Sequence, residues 1–173
     1  MFDVIHHALA QGIGFISMFI AWWANAQKKD QKLLTGNIVA ASLTSIHLGL
    51  LGSTLGMANQ LLNMGRFYSG RCCRLPILAP IFASLAILLG WFWAQHWSEW
   101  CAVFAAVIMS FALIHTSGIQ LRLAMLVSNI CNLSLSLHLN SWSGILYQVI
   151  TIAIIGYQIR ESLRPQQFIS EIP

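Results

Sequence analysis

The chain has 173 residues, 57% of them hydrophobic and only 8% charged, with a formal net charge of +4 and a mean hydropathy of +0.70. A soluble domain carries roughly a quarter charged residues, so the composition excludes a water-soluble globule and predicts a polytopic membrane protein whose first partner is the lipid bilayer. The positive charge then belongs to membrane topology, with no nucleic-acid partner, and the four cysteines, two in apolar segments and Cys72 and Cys73 in a basic loop, suit neither a disulfide framework nor a metal site.

In chain order, the apolar segments predict seven transmembrane helices near 8–26, 33–52, 54–69, 75–94, 98–116, 119–139 and 142–160. The first ends on Ala24-Asn25-Ala26, which resembles a signal-peptidase site. However, Asp3 precedes it and Lys28 and Lys29 follow, the reverse of a signal peptide, so a retained helix is expected. The second and third spans meet at Gly52-Ser53, and the sixth and seventh at Asn140-Ser141, both short enough to be helical hairpins. The nine Lys and Arg residues fall after spans 1, 3, 5 and 7, with Arg66 and Arg122 counted among the loop charges. That asymmetry predicts a bacterial inner-membrane protein with a periplasmic N-terminus and a cytoplasmic C-terminus. The seven Trp residues cluster near span ends as an aromatic belt, and Glu99 belongs to the outer interface.

The chain also repeats itself. Ser45-Ile46-His47-Leu48 answers to Ser136-Leu137-His138-Leu139, and Gln27, Asn37 and His47 answer to Gln120, Asn129 and His138 at offsets of 93, 92 and 91. Spans 1–3 and 5–7 each read as helix, basic loop, helix, tight turn, helix, with span 4 between them. Three is odd, so a direct second copy would be inverted; a single linker helix restores its orientation. The expected architecture is all-α: two parallel three-helix bundles joined by a linker helix, with a first repeat over 1–70, the linker over 71–96 and a second repeat over 97–173.

Hydrocarbon cannot satisfy an amide, so amides within spans must face protein or water. On span 3, Gly56, Asn59, Asn63 and Arg66 share a helix face, and on span 7 Gly144, Gln148 and Thr151 form a stripe with Tyr147 beside it. Interhelical hydrogen bonding accounts for such residues as readily as a cavity wall does. Their recurrence in both halves makes Asn59, Asn63 and Gln148 the first candidates for binding a solute, with Asn37, Asn129, Tyr147 and Trp142 secondary. His47, His138 and His115 are candidates for gating or proton linkage, although capping or interfacial packing is the commoner role. On a helical wheel, His47 is about 80° from Asn37 and His138 about 180° from Asn129, so the two His-Asn pairs are not equivalent. No nucleotide, metalloprotease or nucleophile motif and no paired carboxylates occur within a span, so neither an enzyme nor a cofactor is expected.

The 3+1+3 order and the repeat resemble the SWEET and PQ-loop superfamily of small-solute transporters. The inner-end Pro-Gln pair of that superfamily corresponds here to Asn25-Ala26-Gln27 and Gly118-Ile119-Gln120, which keep Gln27 and Gln120 as inner-end hinge positions but lack the Pro. Its third-helix Asn matches Asn59 best, with Asn63 the other option. The whole chain is similar to the YgjV family of bacterial inner-membrane proteins through Ala10-Gln11-Gly12-Ile13-Gly14, Ile46-His47-Leu48, Leu51-Gly52, Leu62-Asn63-Met64-Gly65-Arg66 and His138. The resemblance implies a SWEET-like facilitator of a small, neutral, polar solute such as a sugar, bound between the repeats. A non-transporting scaffold binding lipid or a partner protein and a PnuC-like vitamin-precursor transporter are the alternatives, and homo-oligomerisation is left open.

Overall fold

The computed structural model describes the backbone of residues 2–50, 54–94, 96–138 and 142–163, and the side chains of 9–50, 57, 59–92, 94, 96–138 and 145–163. Seven α-helices and no strand occur among these residues: α1 (Phe2–Asn25), α2 (Asp30–Leu50), α3 (Thr54–Cys72), α4 (Leu78–Trp93), α5 (Trp97–His115), α6 (Gly118–His138) and α7 (Trp142–Leu163). The turns expected at Gly52-Ser53 and Asn140-Ser141 lie outside the described residues, as do Arg164 and the side chain of Trp142.

Helix ends follow from local chemistry. Asp30 opens α2, where a carboxylate complements the helix dipole. Glu99 does the same for α5, accepting the His96 backbone N–H at 2.9 Å. Pro80 is the third residue of α4, inside the first turn, where a missing N–H leaves no helical bond unmade. The 16 residues of α4 span about 24 Å, the shortest of the seven helices. By length and composition, α2 and α5 are apolar enough to cross a membrane; Leu78–Phe92 is apolar but shorter. Of the other helices, α3, with Asn59, Gln60, Asn63, Arg66 and Arg71, is the least apolar.

α2 packs between α1 and α3, and α6 between α5 and α7. α3 also meets α5, and α7 meets α1, which closes a ring of six helices; α4 packs mainly on α5. Small residues allow these close approaches. A Cβ on Gly36 would lie 2.4 Å from the Ala24 Cβ, so α1 and α2 meet nearly backbone to backbone there. α4 buries Ala79, Ala83, Ala86 and Gly90 along one face and exposes Ile81, Leu85, Leu88 and Phe92 on the other. A water-facing helix would show the opposite pattern.

An apolar cluster of buried residues sits at one end of the ring. It joins Leu33 and Leu34 of α2, Leu113 of α5, Leu121 and Met125 of α6 and Ile155 of α7, with Phe67 of α3 packed against it. The same end carries the α1–α2 loop with Lys28 and Lys29, and we call it the basic end.

Candidate functional site

Above this apolar cluster the ring surrounds an open cavity of about 600 Å³. All six ring helices contribute described lining residues, and α4 contributes none. Eight of the lining side chains are amides, two each from α1, α3 and α6 and one each from α2 and α7. Among the described lining residues there is no Asp or Glu, and Arg66 is the one Lys or Arg.

The periodicity of each helix determines which residues reach the cavity. α2 presents Asn37, Ala40, Ala41, Thr44, His47 and Leu48, a stripe at steps of three and four. Asn37 Nδ2 donates to Asn25 Oδ1 at 3.2 Å and to Leu33 O at 3.0 Å. Asn129 on α6 likewise donates to the carbonyl four residues back, Met125 O, at 2.7 Å. Ser17 Oγ lies 2.6 Å from Thr44 Oγ1 and donates to Ala40 O at 2.7 Å, joining α1 to α2 along the wall. His47 Nδ1 is 2.6 Å from Ala10 O, which assigns it the proton, and the ring lies over Gly14, where a Cβ would come within 3.0 Å.

On α3 the wall is Gln60, Asn63, Arg66 and Phe67. Asn63 Nδ2 reaches Gln60 Oε1 at 3.5 Å, and Arg66 Nη1 donates to Asn63 Oδ1 at 2.7 Å. On α7, Tyr147 and Gln148 line the cavity. The Tyr147 ring stacks on Trp22 of α1, centroids 6.2 Å apart, so Trp22 helps join α1 to α7. Gln148 Oε1 is buried without a hydrogen-bond partner.

The cavity therefore brings together Asn37, Asn63, Asn129, Tyr147, Gln148 and His47. The other expected site residues lie elsewhere. Asn59 is exposed: on the wheel it sits about 100° from Gln60, beyond Asn63, where the long Arg66 side chain can still reach inward and a short amide cannot. His138 is exposed and its ring lies 4.8 Å from His96, away from Asn129 as the 180° separation requires. His115 is exposed, with Nδ1 3.1 Å from the Phe111 carbonyl one turn back. Gln27 donates to Trp23 O at 3.1 Å within its own helix end, and Gln120 is exposed. The side chain of Trp142 lies outside the described residues.

Two charges counted as loop residues are not loop residues. Arg66 lies within α3 and is 3% exposed; Arg122 lies within α6 and is 2% exposed. Counting charges by loop assigns every Arg to a connection, whereas a guanidinium can be buried within a helix when carbonyls or carboxylates meet it. Arg122 Nη2 donates to Gln27 O at 2.8 Å and Lys28 O at 2.7 Å, and lies 3.6 Å from Asp30 Oδ1. Asp30 Oδ2 accepts the Gly118 N–H at 2.5 Å. Gly118 has φ +61°, a left-handed backbone that favours glycine. Gln158 of α7 donates to Ala26 O at 2.6 Å, and Lys28 pairs with Glu161, which raises the Lys28 pKa. The α1–α2 loop is thus held to α6 and α7 by contacts that cap the apolar cluster below the cavity.

A family model described as Imp-YgjV, bacterial inner membrane protein, matches residues 8–165. No curated protein and no solved structure matches the chain.

Proposed function

We propose, for a chain that belongs to the Imp-YgjV family of bacterial inner membrane proteins, a passive carrier of a small polar solute that binds within the helical ring. The observation that carries the reading is the cavity of about 600 Å³, walled by amides from both α1–α3 and α5–α7. A membrane scaffold held together by interhelical hydrogen bonds would have filled that seam with side chains. Amides on an otherwise apolar wall are suited to solutes rich in hydroxyl or amide groups, which lose water on entry and need replacement partners.

The ring supports a 3+1+3 plan. Exchanging α1 with α5, α2 with α6 and α3 with α7 turns the α3–α5 contact into the α7–α1 contact, as a two-fold axis between parallel repeats requires. In this reading α4 is the linker that restores orientation, and with seven crossings the basic end would face the cytoplasm by the positive-inside rule. In this state the solute would reach Asn63, Asn129 and Gln148 from the periplasmic side, while the Leu33–Leu121 cluster and the Arg122 contacts close the cytoplasmic side. Carriage requires those contacts to part.

The test is solute flux in proteoliposomes carrying the wild type and Asn63→Ala, Asn129→Ala and Gln148→Ala. Slower flux in these variants, with thermal unfolding preserved, supports the site; wild-type flux in all three removes it.

A further inference from the structure

Arg66 is the side chain that a site for neutral solutes does not explain. It lies in α3, lines the cavity, and retains 3% of its exposure. One of its three nitrogens, Nη1, is tied to Asn63 Oδ1 at 2.7 Å, and Asn63 is itself linked to Gln60. The other two, Nε and Nη2, are buried and have no hydrogen-bond partner. Those two atoms share one edge of the guanidinium plane and point two N–H bonds in the same direction, the edge that grips a carboxylate with two parallel hydrogen bonds.

No carboxylate of the chain fills that role among the described residues. The described cavity lining holds no Asp or Glu, Asp30 is engaged by Arg122 and Gly118, Glu99 accepts the His96 N–H, and Glu161 pairs with Lys28. A buried cation with two donors unpaired is costly, and the cost is removed when an anion enters beside it. Across the ring, the buried Gln148 Oε1 is an acceptor without a donor. The two orphaned groups, donors on α3 and an acceptor on α7, are complementary to one molecule bearing both an anion and a hydroxyl or amine.

We infer that the cavity binds a small organic carboxylate, with the Arg66 Nε–Nη2 edge taking the carboxylate side-on and Gln148 accepting from a hydroxyl or amino group of the same solute. This rests on the solute-site reading above and narrows it: the solute is anionic rather than a neutral sugar. Asn63 acts as a positioning residue, since its bond to Nη1 fixes the plane of the guanidinium.

The test is binding to the full chain in detergent, by calorimetry, of matched pairs differing in charge: lactate against lactamide, and gluconate against sorbitol. The expected result is saturable binding of at least one carboxylate and no measurable binding of its neutral twin. Arg66→Gln should weaken that binding on the order of thirtyfold or more, as loss of one member of a buried charge pair does. Arg66→Lys, a point charge without the fork, should fall between the two. Binding of neither carboxylate, equal binding of both members of each pair, or unchanged carboxylate affinity in Arg66→Gln would overturn the inference. Should Arg66→Gln fail to fold, the wild-type comparison of charged and neutral twins decides alone. Flux measured with the same pairs separates the two claims. Carboxylate binding without flux retires carriage and leaves the Arg66 site standing, whereas equal flux of charged and neutral twins retires the anion site and leaves carriage.

Discussion

Within the ring, single atoms decide which residues face the cavity and which hold the helices together. Gly36 is the clearest case, because a methyl there would meet the Ala24 Cβ at 2.4 Å, and neither backbone can yield without separating α1 from α2. Gly36→Ala should therefore lower unfolding stability by about 1–3 kcal/mol, the range for overpacking. Gly12→Ala, with nothing within 4 Å of its added Cβ, should leave stability unchanged or raise it by a few tenths of a kcal/mol. Thermal unfolding of the two variants in one detergent checks the contrast. Amides such as Asn63, Asn129 and Gln148 were legible in the sequence because an amide inside an apolar span has few places to go. Asn59 was not separable from Asn63 by spacing alone, since the two differ by about 40° on the wheel. The unpaired edge of Arg66 left no sequence signal, because its meaning depends on the carboxylates that are missing around it. Ser17 and Asn25, which also line the cavity, carry no pattern that marks them.

At the scale of elements, the hydrophobic runs located all seven helices. Expected and observed bounds differ most where a helix continues past its apolar part. α1 begins at Phe2, through Asp3, His6 and His7, and α7 runs to Leu163, through Arg160 and Glu161. Backbone hydrogen bonding does not stop where the apolar run stops. Less legible was how elements are tied together at the basic end, because Arg122 bonds carbonyls 94 and 95 residues away. That tie gives a prediction of its own. Arg122→Met removes the donor to Gln27 O and Lys28 O and the cation beside Asp30, and should cost about 1–3 kcal/mol of stability. Lys28→Ala, which removes only a largely exposed ammonium from Glu161, should leave the unfolding temperature where it is. Chemical or thermal denaturation of both variants separates a buried clamp from a surface pair.

Six of the seven described helices form a ring that is packed with apolar side chains at one end and hollow above it. The apolar cluster draws on α2, α5, α6 and α7, so both halves contribute to the seal, and the Arg122 contacts lie over it. The cavity lies against the same halves farther from the basic end, where Gln11, Thr44 and His47 line it. Large apolar side chains such as Ile16, Phe19, Trp91 and Phe104 are exposed outside the cavity, which suits a family of inner membrane proteins and leaves the interior as the place for polar chemistry.

Cysteine accessibility across the membrane tests most directly whether that interior is a wet, one-sided cavity. In a background with Cys72, Cys73, Cys101 and Cys131 replaced, single cysteines are placed at Ala40, Thr44 and Asn132 on the wall and at Leu33, Leu121 and Ile155 in the seal. A membrane-impermeant maleimide is then added from either side. The wall positions should label from the side opposite the basic loops, and the seal positions from neither. Labelling of wall and seal alike, or of no wall position from either side, would contradict the account.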